Sequence, residues 1–321
     1  MHEIRGNRFL VIGRAGMDLY ADPPGTTIEA ATQFTATLGG SSANIAAGLV
    51  RQGAQAALLT PVSDDAVGRF AQAQLRAYGV DDSHVTAVGG EARNSLAVVE
   101  TRLENTQSVI YRNGAADFEL TEEMVAGVDF SGFDAVVTTG TVFAAGPSRG
   151  AAFRAFETAR HHAIPVIFDI DYRPYSWSSP REAELTYSRA AEMADIIVGN
   201  DVEFGFLAGD YDKGLDAARS LARTRDRIVV YKMGEEGAIT ICDREEFRSG
   251  IYRTEALKPT GAGDAFMASF LAALASGRAL KEAVLRGSAA AAIVVARVGC
   301  APAMPTETEL TQFLATHDAP I

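Results

Sequence analysis

The sequence predicts an α/β fold, a doubly wound and mostly parallel β-sheet flanked by helices. Short apolar runs rich in β-branched residues recur along the chain, and longer segments with helical periodicity separate most of them. The predicted strands are residues 9–13, 56–62, 134–140, 164–171, 196–200 and 227–233. The predicted helices include residues 41–52, 147–162 and 181–193. This alternation is typical of parallel sheets whose crossover helices cover both faces.

A small β-flap is predicted beside this sheet. Residues 26–38 and 95–112 are rich in Thr and Val, contain alternating segments and lack helical periodicity, so we expect antiparallel strands there. With their flanks, about 16–38 and 93–113, these segments would form a lid over a site. No Pro- or Ser-rich linker divides the sequence, so we expect residues 1–321 to form one domain.

The composition is that of a globular protein and excludes several classes of function. Apolar residues are 47% and charged residues 22% of the 321 residues, which supplies a large core and argues against disorder. The net charge of −12 disfavours nucleic acid and anionic membranes as partners. No run of about 18 apolar residues occurs, so we expect no membrane span and a cytoplasmic location. Cys242 and Cys300 lack partners at metal-ligand spacing, and we expect both to be small core residues.

The glycine-rich run at residues 259–264 is the segment most informative about chemistry, and it precedes an apolar helix at residues 265–276. Small residues at a helix start let an anion approach unpaired backbone N–H groups, where the helix dipole also favours negative charge. Asp264 lies beside this predicted phosphate site, where it can accept a proton from an attacking hydroxyl. Taken alone, Asp264 could equally be an ordinary helix-start residue.

Polar residues that suit a polyol lie in the N-terminal part of the chain. Gly39 and Gly40 precede a predicted helix and permit the close approach of a polar ligand, and Asn44 offers both a donor and an acceptor. Asp18 follows the first predicted strand, at the edge where open α/β sheets bind ligands, and its carboxylate can accept from two neighbouring hydroxyls. Taken singly, Asp18 is also an ordinary turn residue and Asn44 an ordinary cap.

Four short motifs follow one another along the chain. They are Gly-Gly-Ser-Ser-Ala-Asn-Ile-Ala at residues 39–46, Asn-Asp-Val-Glu at 200–203, Lys-Met-Gly-Glu-Glu-Gly at 232–237 and Pro-Thr-Gly-Ala-Gly-Asp-Ala-Phe at 259–266. In this order they give the chain a resemblance to the ribokinase-like (PfkB) carbohydrate kinases over nearly its whole length. The resemblance implies a ribokinase-like fold with a β-flap lid, ATP as phosphoryl donor, Mg²⁺ as cofactor and a small sugar or sugar acid as substrate.

The resemblance also implies a role for each matching residue. Asp264 would be the catalytic base, and Gly261, Ala262 and Gly263 would form the anion hole. The residues that would hold the sugar are Asp18, Gly39, Gly40, Asn44, Arg112 and Arg173. The residues that would contact ATP are Asn200, Lys232, Gly234, Gly237 and Thr260, with Glu203 near Mg²⁺ and acting through water.

Two arginines indicate the class of sugar. Arg173 lies in Asp-Ile-Asp-Tyr-Arg-Pro at residues 169–174, similar to an Asp-x-Asn-x-Arg pattern of kinases for acid sugars, with Asp171 in place of the asparagine. Arg112 ends the second flap segment. Because a guanidinium pairs with a carboxylate or donates to a keto oxygen, we expect a keto or acidic sugar. The alternative is that both arginines form surface ion pairs.

Within the family, residues 12–20, 111–117 and 169–177 look most like those of the 5-dehydro-2-deoxygluconokinases of inositol breakdown. This resemblance implies 5-dehydro-2-deoxy-D-gluconate as the phosphoryl acceptor. Fructokinase and 2-dehydro-3-deoxygluconate kinase activities are the close alternatives.

Lys258 departs from the family pattern. Many ribokinase-like enzymes hold an activating monovalent cation partly through an aspartate shortly before the glycine-rich loop, and this chain has Lys258 at about that place. Its ammonium would take over the charge of the ion, so we expect activity that is nearly independent of K⁺. The alternative is that Lys258 points into solvent, since lysine is readily hydrated.

Other functions compete with a sugar kinase. Residues 9–16 superficially resemble a strand that leads into a dinucleotide-binding turn, but a third glycine and an immediate helix are missing. A non-catalytic sugar-binding protein of the same fold stays open, although the presence of Asp264 argues for turnover. His161 and His162 adjoin a predicted helix end without a third metal ligand. The strand edges of the flap predict a homodimer formed through the lid.

Overall fold

The computed structural model describes residues 4–224, 227–242 and 245–320. The strands, numbered along the chain, are β1 Arg8–Ile12, β2 Gly16–Asp22, β3 Gln33–Gly39, β4 Gln55–Ser63, β5 Val85–Val88, β6 Leu96–Val99, β7 Ser108–Tyr111, β8 Ala135–Thr139, β9 Val166–Asp169, β10 Ile196–Asn200, β11 Ile228–Lys232, β12 Ala238–Ile241 and β13 Glu246–Ser249. The helices are α1 Ser41–Arg51, α2 Ala66–Ala77, α3 Glu122–Ala126, α4 Ser148–His161, α5 Pro180–Met193, α6 Asp201–Leu207, α7 Gly214–Thr224, α8 Ala262–Ala275, α9 Leu280–Val295 and α10 Glu307–Thr316. Among the described residues, none of these helices combines the length and the apolar character needed to cross a membrane.

A nine-stranded sheet forms the centre of the fold, in the order β13-β12-β11-β10-β9-β8-β1-β4-β5. All neighbours from β11 to β5 run parallel, and β12 and β13 form an antiparallel hairpin at one edge. The predicted sheet strands correspond to β1, β4, β8, β9, β10 and β11, so the predicted doubly wound, mostly parallel α/β fold is confirmed. The edge hairpin is absent from the prediction, because its two short strands carry little signal.

Each face of this sheet carries its own hydrophobic core. Successive side chains of β1 point to opposite faces, so Phe9 and Val11 join one core while Leu10 and Ile12 join the other. Helices α1, α8 and α9 complete the first core, and α4 and α5 complete the second. Because helices cover both faces, the strands are buried at almost every position rather than at alternate residues.

A separate four-stranded sheet has the order β3-β2-β6-β7. The outer pairs are antiparallel, but the central strands β2 and β6 run parallel, so the expectation of antiparallel strands throughout is wrong for that pair. The physical reason lies in the main sheet. Strand β2 follows β1 and β6 follows β5, and these two preceding strands run in the same direction on either side of β4.

Candidate active site

Polar residues stand at the carboxyl ends of three neighbouring strands. Asp169 ends β9, Asn200 ends β10 and Lys232 ends β11, and the parallel register brings Asn200 opposite Lys232. All three line a cavity of about 490 Å³, hereafter the first cavity. Open α/β sheets bind ligands at this edge, because strand ends and loops there leave a crevice.

The N-terminus of α8 forms one wall of the first cavity. Its N-cap, Gly261, has a φ of 88°, and a side chain there would come within 2.7 Å of the sulfur of Cys300. Only glycine meets both conditions without strain. The helix then begins at Ala262, so its first backbone N–H groups have no partner within the helix. Gly261 and Gly263 line the cavity, which places these donors where an anion can reach them.

Asp264 lies in the first turn of α8 and lines the same cavity. One of its oxygens, Oδ2, accepts a 2.9 Å hydrogen bond from Nδ2 of Asn44 on α1. Burial raises the pKa of Asp264 to about 7, and the negative charge of Asp171 adds to the effect, against the lowering influence of Asn44 and Arg173. A carboxylate with a pKa near neutrality is suited to accept a proton in general base catalysis.

Asn44 and Asp18 also line the first cavity, and both carry oxygens that can accept hydrogen bonds. Asn44 is buried, and its Oδ1 atom has no hydrogen-bond partner in the described part of the chain. Such an oxygen is costly to bury unless a ligand donates to it. Asp18 is also buried, and burial raises its pKa to about 6 although the positive charge of Arg14 lowers it.

The glycine pair before α1, Gly39 and Gly40, packs closely against other groups of the protein. A side chain at Gly39 would come within 2.0 Å of the carboxylate of Asp18, so its empty space admits a protein group rather than a ligand. Gly40 has a φ of 98°, and a side chain there would come within 2.3 Å of the carbonyl oxygen of Arg14. Gly40 does line the first cavity. Contact of Gly39 with a sugar stays a prediction.

The two predicted arginines both line the first cavity, and both are paired with a carboxylate. Arg112 is buried against Asp117, donates to the carbonyl oxygen of Thr141 over 3.0 Å, and lies over the ring of Phe118. Its pairing therefore takes place in the interior and not at the surface.

Arg173 forms the second pair, with Nη2 lying 2.7 Å from Oδ1 of Asp171. The charge of Asp171 holds the pKa of Arg173 above its usual range. Asp171 has a φ of 35°, a left-handed conformation that Asp and Asn tolerate better than other side chains. This preference accounts for an acidic residue at the position where the family pattern has asparagine.

The Asn-x-x-Glu motif forms a capping box at the start of α6. The Asn200 side chain accepts from the backbone N–H of Glu203, and Glu203 Oε2 accepts from the Asn200 backbone over 2.7 Å. Glu203 Oε1 accepts from the backbone of Tyr172, and burial raises the pKa of Glu203. Within the described ranges, no group of three or more His, Cys, Asp or Glu side chains could hold a metal ion, and His161 and His162 are exposed at the end of α4.

A second cavity of about 820 Å³ opens on the other side of the α8 N-terminus. Its walls include Gly234 and Gly237 from the loop after β11, and small or apolar residues of α8 and α9 such as Phe266 and Ala291. Four residues line both cavities, namely Asn200, Lys232, Pro259 and Gly263. Thr260, expected to contact ATP, lines only the first cavity. The two cavities therefore meet at the glycine-rich loop, beside Asp264.

Two joined cavities with a basic residue, a helix N-terminus and a carboxylate at their junction are the arrangement that phosphoryl transfer needs. A family model described as "pfkB family carbohydrate kinase" matches residues 7–307. The chain belongs to the pfkB family of carbohydrate kinases. In this pfkB kinase, β1 leads into strand β2 and not into a helix, which removes the dinucleotide-binding alternative.

Curated relatives and solved structures agree with this membership. A 5-dehydro-2-deoxygluconokinase of Photobacterium profundum is 36% identical over 315 residues, covering 96% of this chain and 95% of that protein. A 5-dehydro-2-deoxygluconokinase of Bacillus thuringiensis subsp. konkukian is 36% identical, with coverage of 98% and 97%. A putative ribokinase II from E. coli, solved with ATP and Mg²⁺, has a TM-score of 0.85 at 20% identity, with coverage of 97% and 100%. The ribokinase-like fold predicted from the sequence is confirmed.

Lys258 of this pfkB kinase is completely buried, so the alternative in which it points into solvent is wrong. Its Nζ donates to the carbonyl oxygens of Thr260, just before the helix N-cap, and of Val294 in α9. Burial lowers the pKa of Lys258, while the charges of Asp264 and Asp18 act in the opposite direction. A buried ammonium thus supports the backbone that leads into α8.

The sequence-based assignments omit several residues of the first cavity, among them Arg14, Asp169 and Cys300. Burial raises the pKa of Asp169 well above its usual range. Cys300 is buried, and burial raises its pKa to about 12, so it is a thiol at neutral pH. Cys242 is only half-buried, unlike the core position expected for it. Asp169 could have been identified from its position at the end of a predicted strand, where ligands bind. No local pattern indicates that Cys300 lines the cavity.

One face of the four-stranded sheet lines the first cavity of the kinase. Asp18 of β2, Ala97 and Val99 of β6, and Ser108 and Ile110 of β7 alternate along their strands and face the same side. This sheet therefore forms one wall of the first cavity. Lid closure and the pairing of two copies through this sheet stay predictions.

Proposed function

We propose that this sugar kinase transfers the γ-phosphoryl group of ATP to a hydroxyl of 5-dehydro-2-deoxy-D-gluconate, with Asp264 as the base. The observation that carries the proposal is the position of Asp264. Its carboxylate lies in the first turn of α8, at the junction of the two cavities, with a pKa raised to about 7. Such a group can remove a proton from a hydroxyl at neutral pH.

Phosphoryl transfer uses this geometry in one displacement. The acceptor hydroxyl oxygen forms a bond to the γ-phosphorus, the bond from that phosphorus to the bridging oxygen of ADP breaks, and Asp264 accepts the hydroxyl proton. The first N–H groups of α8 and the ammonium of Lys232, at the junction of the two cavities, would stabilise the negative charge of the transferred phosphoryl. The hydrogen bond from Asn44 fixes the orientation of the Asp264 carboxylate.

ATP fits the second cavity, and its phosphates fit the glycine-rich loop. Mg²⁺, when bound, would neutralise the charge of the phosphates, and Glu203 would help to hold it through water. Both oxygens of Glu203 already accept backbone N–H groups. Their remaining lone pairs suit a hydrogen bond from metal-bound water better than direct ligation, so the residues present fit an ion held chiefly by phosphates and water.

The acceptor is inferred from two lines of support. Curated relatives at 36% identity over nearly the full chain carry the name 5-dehydro-2-deoxygluconokinase. The first cavity is lined by three guanidinium groups, which favours a sugar that bears a carboxylate or keto group. The raised pKa of Asp264 favours turnover over binding alone.

A coupled assay of ADP release with ATP and Mg²⁺ tests the proposal across a panel of acceptors. The panel contains 5-dehydro-2-deoxy-D-gluconate, 2-dehydro-3-deoxy-D-gluconate, fructose and ribose. We expect the highest kcat/KM for the first compound. A preference for ribose or fructose would refute the acid-sugar assignment, and the absence of turnover with every member would favour a non-catalytic sugar-binding protein.

A further inference from the structure

The first cavity contains three arginine side chains, and they differ in how their charge is balanced. Arg112 is paired with Asp117, and Arg173 is paired with Asp171. Arg14 donates from Nη1 to the hydroxyl of Ser95 over 3.3 Å and forms no ion pair with any carboxylate in residues 4–224, 227–242 and 245–320. A neutral hydroxyl does not cancel the charge of a guanidinium. Arg14 is therefore the arginine of this cavity whose charge is left for a ligand.

Arg112 is poorly suited to release its partner, whereas Arg173, with 52% of its side chain accessible to solvent, has its charge balanced by the single contact with Asp171. Oδ1 of Asp117 is already buried without a hydrogen-bond partner, so moving Arg112 away would leave a buried carboxylate uncompensated. Breaking a buried pair on one side is strongly destabilising. Arg112 also stays bound to the carbonyl oxygen of Thr141. Its position depends on protein contacts, and these use up much of its hydrogen-bonding capacity.

Arg14 is placed at the sugar end of the cavity and away from the nucleotide. It follows β1 directly, it is half-buried, and it lines the first cavity but not the second. It shares the cavity with Asp18 and Asp264, the two carboxylates that would meet the acceptor hydroxyls, and its charge lowers the pKa of both. A guanidinium in such a place can bind a carboxylate with two parallel hydrogen bonds.

We propose that Arg14 binds the carboxylate of the sugar acid and thereby distinguishes acidic from neutral sugars. The inference rests on the proposed function, because it requires an acceptor with a carboxylate. In this arrangement Arg112 and Arg173 shape the cavity, and Arg14 carries the charge recognition.

The test compares two acceptors in two variants. The acceptors are 5-dehydro-2-deoxy-D-gluconate and its carboxamide analogue, which keeps the shape but lacks the charge. The variants are Arg14→Met and, as a matched control, Arg154→Met at an exposed arginine of α4 outside the cavities. Arg14→Met should raise KM for the acid by about 10- to 100-fold, the loss of a charged hydrogen-bonded contact, and leave KM for the carboxamide nearly unchanged. Arg154→Met should behave as wild type with both.

Arg14→Lys keeps the charge but loses the planar fork, so it should lie between wild type and Arg14→Met for the acid. Calorimetric titration of ATP and the Tm of each variant report on folding independently of the sugar. An equal loss for acid and carboxamide would overturn the inference, because Arg14 would then act only on Asp18 and Asp264. If wild type turns over the acid and Arg14→Met matches it, the inference fails while the proposed function stands. If wild type phosphorylates only neutral sugars, both fail.

Discussion

The two cavities that meet beside Asp264 are lined by different kinds of residue. The first cavity is walled by charged side chains from strand ends and the four-stranded sheet, among them Asp18, Asp169 and Arg173. The second is walled chiefly by glycines, alanines and apolar side chains, such as Gly237 and Ala291. Charged walls recognise charge and hydrogen-bonding pattern, whereas small apolar walls recognise shape and accommodate a flat ring.

The difference shows that the free-energy cost of burying charged groups arises in the first cavity. In the first cavity burial raises the pKa of Asp18, Asp169 and Asp264, so three carboxylates are held in an environment that disfavours their ionised form. Substitutions there should change chemistry and selectivity. Substitutions of the small and apolar residues that line only the second cavity should change chiefly the fit of ATP.

The largest expected effect is that of Asp264→Asn at the junction. Loss of the base should lower kcat by about 10²- to 10⁴-fold, because general base catalysis supplies roughly that factor. ATP affinity, measured by calorimetric titration, should change little. Asp216→Asn removes an exposed carboxylate of α7, 80% accessible to solvent, and should leave both quantities unchanged. Turnover of Asp264→Asn at the wild-type rate would remove Asp264 from its assigned role.

A steric change in the second cavity should have a smaller and one-sided effect. Ala291→Leu adds bulk to the α9 wall and takes up space in the second cavity, so KM for ATP should rise about tenfold, which corresponds to about 1.4 kcal/mol of binding free energy. KM for the sugar should stay close to that of wild type. Ala291→Ser, which adds a single oxygen atom, is the control. A parallel rise in both KM values would mean that the two cavities are not independent.

The pH dependence of kcat/KM should reflect the raised pKa of Asp264 in the first cavity. The pKa of Asp264 is raised to about 7, so the base is protonated and inactive below that pH, and kcat/KM should rise through pH 7 to a plateau. Asp171→Asn removes a charge that raises this pKa and frees the charge of Arg173, which lowers it. The midpoint should therefore move to lower pH. Asparagine tolerates the φ of 35° at this position, so the backbone should be preserved. An unchanged midpoint in Asp171→Asn would contradict this account.

The smallest expected effect concerns Lys258, behind the glycine-rich loop. Its buried ammonium already bonds the carbonyl oxygens of Thr260 and Val294, so rates in KCl, NaCl and choline chloride should be equal within error. Lys258→Ala leaves space for an ion, and its rate should respond to K⁺ more than that of wild type. Strong activation of the wild type by K⁺ over Na⁺ or choline would refute the hypothesis that the Lys258 ammonium takes the place of an activating cation.

Much of the site could be predicted from local sequence because its parts are short and contiguous. The glycine-rich run fixes the left-handed N-cap Gly261 and the first turn of α8 within a few residues. The capping box of Asn200 and Glu203 is likewise a four-residue pattern. The apolar runs at residues 135–137 of β8 and 166–168 of β9 indicate a sheet covered on both faces.

Other features depend on residues far apart in the chain, and local patterns carry no information about them. The parallel pairing of β2 with β6 follows from the direction of the strands before them. The contact of Asn44 with Asp264 joins residues 220 positions apart. The burial of Lys258 depends on its contact with the last turn of α9.

The sequence by itself determined the fold class, the family and the identity of the candidate base, because these reside in periodicity and in contiguous motifs. Only the tertiary structure decided how the charges of the site are balanced. The pairing of Arg112 and Arg173 leaves Arg14 without a carboxylate partner in the described chain, and burial near Asp171 gives Asp264 a pKa near neutrality. Both outcomes depend on distance and desolvation, which exist only once the chain has folded.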